Sequence, residues 1–162
     1  LGLSVYTTAA DADACAYCES LGAHHAINFN TDDFVSILRE AGGADIILDI
    51  IGGDYIASNI KAARHDARMI QLAFNAGSRV EIDLMPVMLK RLSFTGSTLR
   101  SRPDRFKTDV AADLKSRVWP LFAAQNSSLR ATTFTSFALA DAGHAHALME
   151  SASQHGKILL TI

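Results

Sequence analysis

Two groups of residues near the start of the chain carry side chains able to do chemistry, and they point in different directions. Cys15 and Cys18, the only two cysteines, form a C-x-x-C, with His24 and His25 close behind. Thiols one helical turn apart with imidazoles nearby are the raw material of a zinc or redox site. Asp11 follows the β-branched run VYTTAA and precedes an alanine-rich segment. A carboxylate just past a strand can accept hydrogen bonds from the hydroxyls of an adenosine ribose. It can equally cap the helix that follows. Both roles stay open for Asp11.

The cysteine pair reads as packing rather than chemistry. Zinc takes four ligands, and only two histidines are at hand. Both cysteines fall inside a helical segment, on a face shared with Ala14 and Leu21 that should point at a sheet. No Lys or Arg lies near enough in sequence to favour the thiolate, and a buried cysteine behaves as a small hydrophobe. The other histidines offer no ligand set. His144 and His146 are two apart on a helix and point to different faces. His65 reads as part of a turn, and His155 as part of the loop before the last strand. Neither a Ser-His-Asp arrangement nor a carboxylate pair is suggested.

What must position such residues is an alternation of short strands and helices. The strand candidates are Ser4–Ala9, Ala26–Phe29, Asp45–Ile50, Arg68–Phe74 and Leu92–Thr95. Helices are expected at Asp11–Leu21, Asp32–Ala41, Tyr55–Ala63, Leu84–Lys90 and Asp104–Ala124. The run ADIILDIIGG is apolar almost throughout and bounded by glycines, the pattern of a strand buried on both faces of a parallel sheet. Repeated β-α-β alternation predicts a doubly wound α/β sheet. Thr31 is the expected cap of the second helix, Gly42-Gly43 its end, and Gly22 the end of the first. Pro120 should kink or interrupt the long helix near Trp119. After Gln125 the character changes: a polar connector (NSSLR), a β-type run (ATTFTSFAL), a helix over Ala140–Ser151 and a final strand, KILLTI. We read 1–125 as a partial dinucleotide-binding domain and 126–162 as a return to a second domain.

Composition excludes several classes. A formal charge of −2 over 162 residues, with no basic run, gives no electrostatic case for nucleic acid. No apolar stretch approaches the roughly 20 residues of a membrane helix. Nearly half the residues (49%) are hydrophobic, which is globular rather than disordered composition. Two cysteines three positions apart are no secreted disulfide framework, so a cytoplasmic setting is expected. The start, LGLSVYTT, reads as a chain joined in mid-fold. No G-x-G-x-x-G occurs, so the usual helix-terminal anion site for a pyrophosphate is not in this stretch.

The segments TTAADADACAYCESLGAHHAINFNTDDF, DIILDIIGGDYIASNIKAA, ARMIQLAFNAG, MLKRLSFTGSTLRSRP and LADAGHAHALMESASQHGKILLTI resemble, in order and spacing, the medium-chain dehydrogenase/reductase superfamily. The resemblance is closest to its zinc-free quinone oxidoreductases, the zeta-crystallin-like group. It covers essentially the whole chain and implies the C-terminal half of such an enzyme. The catalytic domain and the first Rossmann strand with its Gly-rich loop would lie upstream. The activity implied is hydride transfer from NADPH or NADH to a quinone or an activated alkene or carbonyl. In such chemistry the cofactor reacts and the protein positions it.

The resemblance also implies roles. Ala10 and Asp11 border the adenosine ribose, and Ile51 sits near the adenine. Phe74, Asn75 and Gly77 border the nicotinamide, and Ser97, Thr98 and Leu99 lie near the nicotinamide and substrate. Read without the resemblance, FNAG and GSTLR are a turn and a strand exit. Members that use NADPH carry a small residue, a Lys three positions on and a Tyr on the next strand around the 2′-phosphate. Asp11, Ala14 and Phe29 stand there instead. A carboxylate repels a phosphate dianion, which predicts weakened discrimination in favour of NADPH and makes NADH a possible cofactor. A homodimer is expected, with LSFT as the free sheet edge. The rival reading is a non-catalytic α/β interaction module that uses the same edge.

Overall fold

In the computed structural model, residues 2–123, 132–151 and 155–162 are described. The connector at 126–130 lies outside them. The chain divides into two compact units, one of residues 1–30 and 111–162, the other of residues 31–110.

In the first unit β1 (Tyr6–Ala9), α1 (Ala12–Ser20) and β2 (His25–Asn28) make a β-α-β turn whose strands pair in parallel, Tyr6 with His25 through Ala9 with Asn28. Gly22 ends α1 with a left-handed φ of 103°, its N–H bonded to the Glu19 carbonyl. Later in the same unit β6 (Thr133–Ala138), α7 (Ala142–Glu150) and β7 (Lys157–Thr161) repeat the device, again with parallel strands. The ring of His155, in the loop before β7, stacks on Tyr17 at 5.8 Å.

The second unit is a three-stranded parallel sheet, β3 (Ala44–Asp49), β4 (Ala63–Gln71) and β5 (Ser93–Gly96), in that spatial order. The helices are α2 (Phe34–Glu40), α3 (Tyr55–Ala62) and α4 (Met85–Leu89). Ile56 and Ile60 of α3 are buried with Met69 of β4, and Ile47, Ile82, Val87 and Leu92 close around them. The stacked rings of Phe34 and Tyr55, 5.3 Å apart, tie α2 to α3. Parallel strands joined by helices place the chain in the Rossmann-like α/β class, as its alternation predicts.

Four expectations need correction. The β3 strand is not covered on both faces: Ile46, Leu48 and Ile50 are 56%, 67% and 50% exposed, while Asp49 on the opposite face is 5% exposed. The α3 helix covers one side, and the described residues put nothing over the other. Thr31 is not the cap of α2. Asp33 is, accepting from the Val35 N–H at 3.0 Å and the Ser36 hydroxyl at 2.6 Å, while Thr31 donates to Asp32. His65 lies within β4 rather than in a separate turn, in a bulge where the register jumps from Ala44↔Ala63 to Ile46↔Arg68. Cys15 and Cys18 are half-buried rather than fully buried, and α1 has no fully buried residue.

The long helix is interrupted ahead of Pro120. After α5 (Asp104–Asp113), residues Leu114–Val118 widen into a π-helical turn, and α6 (Trp119–Ala123) resumes the α form. The Trp119 N–H reaches back five residues to the Leu114 carbonyl. Proline has no N–H to bond four residues back, and its ring clashes with that carbonyl in a regular helix. A wider turn accommodates both defects.

Candidate functional site

In open parallel sheets, ligands bind beyond the carboxyl ends of the strands. Every residue assigned to the cofactor or substrate from the sequence, apart from Ala14, lies there. Within the first unit, Ala10 and Asp11 follow β1 directly and Phe29 follows β2. The Phe29 N–H donates to the Ala9 carbonyl at 3.0 Å, and the Asn30 side-chain amide donates to the Ala10 carbonyl at 2.6 Å. Two strand exits are thereby stitched together. Asp11 does cap α1, its Oδ1 accepting from the Ala14 N–H at 2.7 Å. One lone pair of one oxygen is used this way, which leaves the carboxylate able to accept more. Ala14 sits in the first turn of α1, on the side that Asp11 caps.

Within the second unit the exits of β3 and β4 are laced by backbone. Asn75 N–H donates to the Ile50 carbonyl, Ala76 N–H to the Ile51 carbonyl, and Gly53 N–H to the Gly77 carbonyl, at 3.2, 2.7 and 2.9 Å. Ile51 and the group Phe74, Asn75 and Gly77 are thus brought together. Gly52 is what permits the approach. Its φ is 70°, and a Cβ there would stand 2.7 Å from the Gly77 carbonyl oxygen and 2.7 Å from the Phe74 ring.

Under these loops lies a residue that sequence reasoning missed. Asp49 is buried, and Oδ1 accepts from the Ile51 N–H at 2.6 Å and the Gly52 N–H at 3.0 Å. Its Oδ2 accepts from the Asn59 amide at 3.0 Å. A buried carboxylate is tolerated when donors surround it, and these three make Asp49 the peg of the β3 exit. Gln71, at the end of β4, donates from Nε2 to the carbonyls of Asp49 at 3.2 Å and Ala73 at 2.6 Å. The signal for Asp49 was present: an acid inside ILDII, followed by two glycines, has no place in a purely apolar strand. Gln71 gave no such signal.

At the exit of β5 the Ser97 N–H donates to the Gln71 carbonyl at 3.0 Å. Ser97, Thr98 and Leu99 line a surface cavity of about 320 Å³ together with Gly96, Ser101, Arg102 and Phe106. The Arg102 guanidinium lies 4.1 Å from the centre of the Phe106 ring. Arg102 stood in the quoted segment GSTLRSRP without a role assigned to it.

No group of three or more His, Cys, Asp or Glu able to hold a metal ion occurs among the described residues. Nor is any described helix long and apolar enough to cross a membrane.

Comparison with known proteins gives the family and the fold. Residues 1–116 match the family profile described as zinc-binding dehydrogenase. The 2-haloacrylate reductase of a Burkholderia species is 28% identical over 99% of this chain and 48% of its own length. The chain therefore spans about half the length of that relative. The fold of the quinone oxidoreductase from Thermus thermophilus, solved alone and with NADPH, superposes with a TM-score of 0.83 at 19% identity, covering 99% of this chain and 50% of the other. Escherichia coli quinone oxidoreductase complexed with NADPH gives 0.77 at 20% identity, covering 100% of this chain and 50% of the other. The chain belongs to the zinc-binding dehydrogenase family.

Proposed function

We propose that this chain is the cofactor-binding portion of a nicotinamide-dependent reductase that passes hydride to a quinone or to an activated alkene or carbonyl. One observation carries the reading. The exits of parallel strands β1 to β5 hold the residues that the family pattern assigns to a dinucleotide. Two further details support the fit. Asp11 keeps acceptor capacity for ribose hydroxyls, and the β3 and β4 exits are held rigid by Asp49 and the close approach at Gly52.

When bound, the reduced nicotinamide supplies hydride; the chain supplies placement. Asp11 receives the ribose hydroxyls, with Ala10, Ala14 and Phe29 beside it. Ile51 flanks the adenine. Main-chain groups of Phe74, Asn75 and Gly77 hold the nicotinamide side, and Ser97, Thr98 and Leu99 face the acceptor. The division at Gln125, zinc-independence, a cytoplasmic setting and a homodimer through the free edge of β5 belong to the same reading. All four residues of β5 are exposed, as a strand awaiting a partner would be.

The test is a pair of fluorescence titrations, NADH and NADPH, on the protein at its full natural length. NADH should bind more tightly, because Asp11 repels a 2′-phosphate and neither Ala14 nor Phe29 offers it a charge or a hydroxyl. A strong preference for NADPH would refute the assignment of these three residues. Failure to bind either nucleotide would refute the reading as a whole and favour the interaction module.

A further inference from the structure

The geometry points to Arg102 as the recognition group for a carboxylate on the acceptor, which makes the substrate a short α,β-unsaturated acid rather than a neutral quinone. This rests on the reductase reading above.

The cavity at the β5 exit is small, about 320 Å³, and its lining carries one cation and no anion. Three hydroxyl-bearing residues, Ser97, Thr98 and Ser101, belong to the same lining. Among the described residues no carboxylate pairs with Arg102. The nearest acid in sequence, Asp104, lies 3.7 Å from Lys107 instead. Stacking on Phe106 holds the guanidinium in place while leaving its edge N–H groups unused. A planar fork of donors, stacked on Phe106 in the lining of a small cavity, matches a carboxylate in two-pronged fashion. A quinone offers only neutral carbonyls and no charge for the exposed guanidinium to pair. The relative named 2-haloacrylate reductase, similar along nearly all of this chain, acts by its name on an acid of this size.

Pairing also serves the chemistry. Conjugated carboxylate charge opposes delivery of hydride, and a guanidinium beside it offsets that charge. The reaction consumes one reduced nicotinamide and one proton. The β-carbon of the alkene receives hydride, the π pair moves to the α-carbon, and the α-carbon takes a proton from water. The products are the saturated acid and the oxidised nicotinamide.

The experiment compares 2-chloroacrylate with its neutral methyl ester on the full-length protein, in wild type, Arg102→Leu and Arg102→Lys. For the acid, Arg102→Leu should raise KM by about tenfold or more, the worth of a charge-assisted pair. KM for the ester should move less than about twofold, and Arg102→Lys should recover part of the loss. Equal effects on acid and ester would overturn the proposal, as would no effect on either. NADH and NADPH titrations of Arg102→Leu separate the two sources of an oxyanion. Unchanged cofactor affinity is expected, and a selective loss for either nucleotide would assign the guanidinium to a cofactor phosphate. Cofactor binding without reduction of either alkene overturns the acid assignment alone. Absence of cofactor binding in wild type overturns the reductase reading beneath it.

Discussion

Asp66 and Arg91 both hold left-handed backbone, with φ of 63° and 53°, and their side chains meet in a two-pronged ion pair, Nε to Oδ1 and Nη2 to Oδ2, each at 2.7 Å. They are the only non-glycine residues with positive φ among the described residues. Asp66 is the hinge of the β4 bulge, and its N–H also donates to the Lys90 carbonyl at 2.8 Å. The pair pins the bulge to the turn between α4 and β5. Left-handed backbone is unfavourable for both residue types, so the pairing helps offset a local strain.

This pair makes stability depend on acid. Hydrogen bonding and then charge from Arg91 hold the Asp66 carboxyl below its ordinary range, and Asp66 in turn raises the guanidinium. A depressed carboxylate stabilises the fold above its unfolded value and loses that contribution as pH falls through the folded one. Asp66→Asn should therefore lower Tm at pH 7. The gap from wild type should shrink as the pH drops below about 4. Thermal melts at a series of pH values would show it; a gap that persists unchanged in acid would contradict this account.

Lys90 closes the carboxyl end of α3. Its ammonium donates to the carbonyls of Ile60, Lys61 and Ala63 at 2.9, 2.9 and 2.7 Å, which uses all three of its protons. Lys90→Met keeps the stem and removes the donors, and should cost about 2 kcal/mol. A urea titration should show a lower midpoint with an unchanged slope.

Removing the Asp49 peg should be more severe. Asp49→Ala strands the N–H groups of Ile51 and Gly52 and the Asn59 amide in a buried setting, a loss of about 3 kcal/mol or more. The loop that carries Ile51 should loosen with it. Faster amide exchange at Ile51 and Gly52 than at Met69 of β4 would confirm a local origin, whereas uniform acceleration would mean the whole unit had weakened.

The bare side of β3 should make the 162-residue chain self-associate. Leu48 stands there 67% exposed, between Ile46 and Ile50. Leu48→Lys should reduce association in sedimentation velocity and weaken binding of a hydrophobic dye, with little change in Tm. A wild-type chain that stays monomeric at high concentration and melts cooperatively would sink the idea.

These contrasts show what sequence made legible. Strand exits were found because apolar runs end where polar or glycine residues begin; Asp11 was singled out that way, whereas Ile51, Phe74 and Ser97 were singled out only through the family resemblance. Coverage was not legible in the same way. ADIILDIIGG looks the same whether helices lie on both faces or on one, since hydrophobicity records what a strand is suited to, not what lies beside it. The cap of α2 was misjudged by two residues because Thr31, Asp32 and Asp33 are all competent caps, and only backbone direction selects Asp33. The bulge of β4 was missed because HDA reads as a turn. It is a strand that left-handed backbone at Asp66 allows to buckle. Arg102 needed three dimensions: only the ring of Phe106 and the cavity wall give that guanidinium a direction.

The π turn at Leu114–Val118 has a consequence for heredity. A helix of 3.6 residues per turn rotates roughly 100° with each residue, so one residue added to a regular helix would re-aim everything beyond it. Such a turn is how a helix absorbs an insertion without breaking. Deleting one residue from Leu114–Val118 and replacing Pro120 would restore an unbroken α-helix. Trp119, Leu121 and Phe122 would keep their facing, because the wide turn takes up the extra residue within itself. A residue can thus be gained or lost within Leu114–Val118 while the surface beyond the turn stays the same.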